Sequence, residues 1–447
     1  MCQEGIGSFV SCCIANIICC SSEVEEFSMA SRPVATRPDD MRRLNRARVL
    51  AALRRAGQAS RNELARDTAL SAASISTITG ELIDEGLVVT ANGDEARRAG
   101  STRGRPRVTL TPASSAASLA CLSLQFGSLG IRLVDYRGEV LHAENTNCLT
   151  LELTEDTLIE AMNGLVDRAL AAAGARAGPL QGVVIGVAGV IDLEGTTIQW
   201  APSLSIRDVP VSARLEKVLD VPVRLWNDCD LMAEALHGEG FAGGSDFGTL
   251  LLSRGVGMAL RLRGQLVNGL ASSGVEFGHI PVHPDGALCR CGNYGCVEAY
   301  AGDYAMARRA AGLSCRTAPV PIGEVRELAS IGEQAAAGNA DAVAALSEAG
   351  EAVGYGLAAI FSLVDPFPLM IVGLDDVLRE RLTQSIRATL RKTLAGKAVA
   401  DDLVIDGRPD PGPLVHRGAA LSGLTALDRT LLASPPPIDK AAGGEAA

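Results

Sequence analysis

Glu276-Phe-Gly-His279, followed by Cys289-Arg-Cys291-Gly-Asn-Tyr-Gly-Cys296-Val-Glu298, sets one histidine and three closely spaced cysteines beside carboxylates. Cys-x-Cys and Cys-x4-Cys spacings let one short hairpin bring three thiolates to a point, and a histidine ten residues upstream completes a tetrahedral Cys3His set. His279, Cys289, Cys291 and Cys296 are therefore candidate ligands of a structural zinc ion. Four protein ligands leave no position for a water, so such an ion holds a loop and does no chemistry. A disulfide pair with spare thiols is the competing reading, and it suits an oxidising compartment better than the cytoplasm.

The motifs Glu-x-Gly-His and Cys-x-Cys-Gly-x-x-Gly-Cys-x-Glu resemble the signature of the ROK family, named for repressors, open reading frames and kinases. The resemblance implies structural zinc on the four ligands and a sugar pocket lined by Glu276, His279 and Glu298. His279 would then present one ring nitrogen to each partner. For residues 117–430 it implies an α/β fold of the two-lobed, actin-like ATPase type, ribonuclease H-like, as in sugar kinases.

A chain of 447 residues exceeds one ordinary core, and two to four domains are expected. The net charge of −11 argues against a protein that coats nucleic acid with its whole surface. The charge is unevenly placed, however. Between Arg32 and Arg107 fifteen arginines face nine acids, about +6, which leaves about −17 for the remainder. A basic segment on an acidic body points to a DNA-binding head. Residues 5–22 are uncharged and apolar with four cysteines, but Glu4 stands where a signal peptide carries cations. Residues 1–31 are accordingly expected to be an upstream extension, with Met29 as initiator. The uncharged run Ala352 to Val364 is too short to span a bilayer, so no membrane partner is expected and the protein is placed in the cytoplasm, with the nucleoid.

Met41, Leu44, Val49, Leu50 and Leu53 recur at helical spacing from Asp40 to Ala56. Ser60 can cap a second helix over Arg61 to Asp67, and Ser71 a third that runs to Glu85. Leu64, Ala65, Ile75, Ile78 and Leu82 supply a shared core, and strands at Leu87–Thr90 and Val108–Leu110 flank an Arg-rich loop. Residues 32–111 thus read as a winged helix-turn-helix, and they resemble the head of ROK repressors, including the wing signature Gly104-Arg-Pro106. Ser71, Ala72, Ala73, Ser74, Ser76 and Thr77 are the small outward residues that allow close approach to operator DNA. Arg103, Arg105 and Arg107 suit phosphates or a narrow minor groove.

Beyond Thr111, strands at Leu119–Gln125, Gly130–Asp135 and Glu139–Ala143 form a meander, and a second meander begins at Gly248, which suggests duplicated lobes around a cleft. Residues 434–447, rich in Pro, Gly and Ala, are expected to be disordered. Asn227-Asp228 ends a strand at the cleft and matches a ROK motif whose Asp is the general base in the kinases. Asp228 can equally cap the following helix, Leu231 to His237. By similarity Gly189 lets sugar approach the backbone. The family's phosphate loops are altered here: Ser123, Gln125, Phe126 and Gly127 stand at Asp-x-Gly-Gly-Thr, Ser253-Arg-Gly255-Val-Gly257 at Gly-Thr-Gly-x-Gly, and Gly373-Leu374 at Gly-Gly. Zinc is the expected cofactor, and ATP and magnesium are not. The sequence therefore favours a sugar-responsive regulator, a homodimer or homotetramer that takes a sugar or sugar phosphate at Asn227, Asp228, Glu276, His279, Glu298 and Gly189. The alternative is a sugar kinase in which Asp228 is catalytic.

Overall fold

The computed structural model describes residues 38–91, 108–269, 274–319 and 328–433. Residues up to Leu44 form a unit of their own, of which the described part is the start of the first helix. The second unit, Asn45–Ala447, holds the rest of that helix and every other element.

Three helices and a small sheet build the head: α1 (Pro38–Ala56), β1 (Ala59–Ser60), α2 (Arg61–Thr68), α3 (Ala72–Asp84), β2 (Val88–Thr90) and β3 (Thr109–Pro112), with strand order β1-β3-β2. Ser60 starts α2 with a reciprocal cap, taking the Glu63 amide while Glu63 accepts from the Ser60 amide, and Ser71 starts α3 by accepting from Ser74. Leu50, Leu53, Leu64, Ile75 and Leu82 are fully buried, joined by Val49, Val88 and Leu110. Ala65 is only partly covered, and Met41 and Leu44 stand exposed.

The first lobe comprises β4 (Ser118–Gln125), β5 (Ser128–Asp135), β6 (Val140–Asn147), α4 (Glu155–Ala173), β7 (Leu180–Val187), the short pair β8 (Val190–Ile191) and β9 (Ile198–Trp200), α5 (Val211–Leu219), β10 (Val223–Asn227) and α6 (Asp228–Gly238). The second comprises β11 (Phe247–Leu252), β12 (Val256–Leu262), β13 (Gln265–Leu266), α7 (Glu298–Ala301), α8 (Asp303–Ala310), α9 (Leu328–Ala336), α10 (Ala340–Phe361), β14 (Leu369–Val372), α11 (Asp376–Leu390), α12 (Leu394–Lys397) and β15 (Ile405–Arg408). The sheets run β10-β7-β4-β5-β6 and β13-β12-β11-β14-β15. Each is an antiparallel meander continued by two parallel strands, so the duplication expected from the two meanders is present in the topology.

The last helix, α13 (Gly412–Ala433), returns to the first lobe and packs on β4, β7 and α6. Its Leu424 and Leu427 share one apolar core with Leu50 and Leu53 of the head. Among the described residues no helix is long and apolar enough to cross a membrane.

Candidate functional site

Strand β10 pairs in parallel with β7 and delivers Asn227 to the cleft opposite Val187. Asn227, in extended conformation, caps α6: its Oδ1 accepts from the amides of Cys229 at 2.8 Å and Asp230 at 3.3 Å. Its Nδ2 donates to the Gly189 carbonyl at 3.0 Å, which leaves one N–H for a ligand. The cap therefore falls to Asn227 rather than Asp228, because the helix begins at Asp228 itself and a cap must precede the first turn. Asp228 Oδ1 accepts from the Cys229 amide at 2.9 Å. Part of the Asp228 surface faces the cavity, yet protein surrounds the carboxyl on its other sides, and this desolvation raises its pKa to about 6.

Gly189, Asn227, Asp228, Glu276, His279 and Glu298 all line one cavity of about 840 Å³ between the lobes. Glu298 is buried, and its Oε2 accepts from the Val256 amide at 3.2 Å, which ties it to the β11–β12 turn. Glu276 is exposed, its Oε2 lying 3.9 Å from His279 Nε2. At Gly189 a Cβ would stand 2.4 Å from the Trp200 carbonyl oxygen, so the close approach demanding glycine there is that of the β9 loop. Trp200 and the buried Ser203 on that loop also line the cavity, and the Ser203 hydroxyl has no partner among the described residues. Neither belongs to a charged or cysteine motif, so nothing along the sequence singles them out.

The Cys loop and the Glu-x-Gly-His turn converge. One ligand atom each from His279, Cys289, Cys291 and Cys296 lies within 4.8 Å of the others. Cys291 and Cys296 sulphurs are 3.8 Å apart, and Cys289 Sγ is 3.8 Å from His279 Nδ1. Two thiolates on one tetrahedral zinc stand about 3.8 Å apart, so the donor set fits such an ion. His279 turns Nδ1 to the cysteines and Nε2 to Glu276, the division its double candidacy requires. Gly295 allows the loop to close: its φ is +77°, and a Cβ there would fall 1.6 Å from the His283 carbonyl oxygen.

On α3, Ser71, Ala72, Ala73, Ser76 and Thr77 are exposed and Ser74 is half-buried. Several hydroxyls are already engaged. Ser71 and Ser74 share a bond of 2.9 Å and Thr77 donates to the Ala73 carbonyl at 3.2 Å, whereas the Ser76 hydroxyl has no partner among the described residues. Arg103, Arg105 and Arg107 lie outside the described residues, as do the extension 1–31 and the tail 434–447. Three other arginines of the basic segment turn inward: Arg46 pairs with Glu81 and Glu85, Arg54 with Asp428, and Arg61 donates to Thr79. The charge available for phosphates is correspondingly lower than the count along the sequence.

A family model described as the ROK family matches residues 122–414, and one described as winged helix-turn-helix DNA-binding matches residues 42–89. The chain belongs to the ROK family. It is 28% identical over 249 residues to the xylose repressor of Caldicellulosiruptor bescii, the match spanning 55% of this chain and 61% of that protein. Over 395 residues it is 26% identical to the DNA-binding transcriptional repressor Mlc of Escherichia coli, covering 83% and 95%. A glucokinase of Streptomyces coelicolor is 30% identical over 285 residues, 60% of this chain and 86% of that one. The solved structure of a ROK family transcriptional regulator, a homologue of the Escherichia coli protein, superposes with a TM-score of 0.68 at 24% identity, covering 88% of this chain and all of that one. The fold is thus a winged helix-turn-helix with a sugar-kinase-like, actin-type ROK domain.

Where the resemblance places the family's phosphate loops, side chains meet. The β4–β5 turn, Phe126–Gly127, faces the β11–β12 turn. Arg254 donates to the Phe126 carbonyl at 2.8 Å, and Arg290, between two metal-ligand candidates, donates to the Arg254 carbonyl at 2.6 Å. Ser123 is buried on β4 and Leu374 is buried after β14. No carboxylate signal marks either arginine; Arg290 lies inside the Cys-x-Cys motif and Arg254 stands where the aligned phosphate loop carries Thr, beside Ser253 in place of a glycine.

Proposed function

We propose that the chain is a sugar-responsive transcriptional repressor that binds operator DNA as a homodimer or homotetramer. Residues 32–111 are its DNA-binding head and 117–430 its sensor. It works in the cytoplasm, at the nucleoid. The observation that carries the proposal is that the six sugar candidates line one cavity, whose wall also carries the contact between Arg254 and Phe126, at turns that the resemblance aligns with the phosphate loops of the kinases. Carboxylates and an amide with fixed directions suit vicinal hydroxyls, and buried partners discriminate between epimers. The ligand is a monosaccharide or its phosphate, held by Asn227, Asp228, Glu276, His279 and Glu298. Zinc, bound by His279, Cys289, Cys291 and Cys296, fixes the loop that presents Glu298. A shift in DNA affinity on sugar binding follows if the DNA-bound and free forms of the protein bind sugar unequally.

Gel retardation with genomic fragments, in the presence of glucose, N-acetylglucosamine, xylose and their phosphates, tests the proposal. A sugar that changes retardation supports it, and retardation of no fragment under any condition sinks it. A sugar kinase with an appended head is the second reading, favoured by Asp228 at the strand end with its raised pKa. Sugar-dependent release of ADP would select it.

A further inference from the structure

We propose that Asp428, near the end of α13, is a positioning residue that fixes, through Arg54 and Tyr136, the angle at which the DNA-binding head leaves the body. The proposal rests on the DNA-binding function given above. Arg54 stands in the last turn of α1 and grips Asp428 with two hydrogen bonds, of 2.6 and 3.0 Å. The Tyr136 hydroxyl donates to the same carboxylate at 2.7 Å, and the Arg54 guanidinium lies 5.1 Å from the Tyr136 ring centroid. The side chains of Arg54 and Asp428 are only 9% and 5% exposed, and Tyr136 is fully buried. Head, first lobe and final helix thus meet at one charged point within an apolar core.

A second tie runs beside it. Asp135 accepts from the amides of Arg137 and Glu139 at 2.9 Å each, which shapes the turn after β5, and Arg137 Nε donates to the Pro112 carbonyl at the end of β3 at 3.0 Å. Thr111 in turn donates to the Gly57 carbonyl just after α1 at 3.0 Å. The turn that presents Tyr136 therefore holds both the first helix and the wing strand of the head.

Stability does not account for the buried pair. Desolvating two ions offsets most of their attraction, and a well-packed apolar replacement is often as stable. An apolar contact tolerates sliding, whereas a two-point guanidinium–carboxylate grip with a tyrosine hydroxyl alongside defines one orientation. The helix carrying Asp428 is also joined to the pocket. A Cβ on Gly418 would stand 1.9 Å from the Leu231 carbonyl oxygen, so α13 crosses α6 backbone to backbone. Helix α6 starts at Asp228, and Asp428 lies ten residues beyond the crossing, about 15 Å along α13. No side chain at that crossing can absorb a tilt of α6.

In an oligomer the head angle sets the separation of the two recognition helices, and hence the distance between DNA half-sites. Selection from a random-sequence duplex library, run with the full-length wild type, with Asp428→Asn and with the apolar triple variant Arg54→Met/Tyr136→Phe/Asp428→Leu, reads this directly. The triple variant keeps the core filled, so one folded variant remains if the single substitution unfolds. Wild type is expected to enrich a repeated half-site at one spacing. The variants should enrich the same half-site with the spacing preference lost. An unchanged, narrow spacing in a folded variant overturns the proposal, as does a wild type that enriches lone half-sites. Enrichment of no sequence by wild type would instead defeat the DNA-binding function itself.

Discussion

Arg254 reaches across the cleft to Phe126, donating to its carbonyl at 2.8 Å and laying its guanidinium 5.6 Å from the ring centroid. By the resemblance Phe126 and Ser253 stand at glycines whose backbone amides would approach a triphosphate, and the contact between Arg254 and Phe126 ties these two turns together on the cavity wall. Ser123, which the resemblance aligns with the family's Asp, carries no charge to offer magnesium. Calorimetry with Mg-ATP should therefore detect no binding at submillimolar concentration, with or without sugar. ADP release at ordinary kinase rates, about 1–100 per second, would refute this.

Cys296 is buried in the Cys loop and is not part of the cavity wall. Cys296→Ser should nevertheless weaken sugar binding, because Glu298 Oε1 meets Cys289 Sγ at 3.8 Å and α7 begins at Glu298, directly after the loop. Loss of a direct ligand should strip the metal, read by elemental analysis, with sugar affinity falling in parallel. Wild-type protein purified without metal would remove the basis of the prediction.

Asp228→Asn replaces a charge-assisted acceptor with a neutral one and should reduce sugar affinity by about 1.5–3 kcal/mol. Burial raises the Asp228 carboxyl to about 6, so the wild-type carboxylate is lost as pH falls through that value. Affinity for a neutral sugar should then drop between pH 7 and pH 5 in wild type but not in the variant. Titrations at both pH values, followed by fluorescence of the cavity-lining Trp200, decide it.

Asp230, two residues into the same helix, is buried with Oδ1 unpartnered among the described residues, and burial followed by the charges of Asp228 and Glu234 raises its pKa to about 7. An acid whose folded pKa exceeds its unfolded one binds more protons when folded. Its contribution to stability is therefore lost as pH rises from about 4 toward 7. Asp230→Asn should raise the midpoint of thermal unfolding at pH 8 by several degrees and flatten its decline between pH 5 and pH 8. A variant less stable than wild type at pH 8 would contradict this.

Ser76 is exposed on α3 and its hydroxyl has no partner among the described residues, whereas those of Ser74 and Thr77 are already bonded within the helix. Ser76→Ala should alter base preference at one position, by about 0.5–1.5 kcal/mol if its single hydroxyl contacts a base edge. Equal weakening on all sequences would mark a phosphate contact instead.

Much of the head and of the metal loop was legible along the chain because their determinants are local. The cap Ser60 and its partner Glu63 are three residues apart, and three of the four candidate metal ligands lie between Cys289 and Cys296. Asn227-Asp228 could be placed at a strand end, but which of the two caps the helix depended on where the first turn begins. Gly189 was legible as a position needing glycine; that its neighbour is the Trp200 carbonyl was not.

By itself, then, the sequence determined the family, the helices and strands, and the residue types of the pocket and metal loop, because hydrophobic period, capping and ligand spacing act over a few residues. Tertiary structure decided which charges are spent inside. Arg46, Arg54 and Arg61 entered the sequence reading only as part of the basic count of the head, and the fold brings Glu85, Asp428 and Thr79 to them; Arg254 gained its meaning only when the second lobe carried it to Phe126. Such pairings join segments far apart in the chain, and no local pattern encodes them. They follow from which faces pack together once the apolar surface is buried.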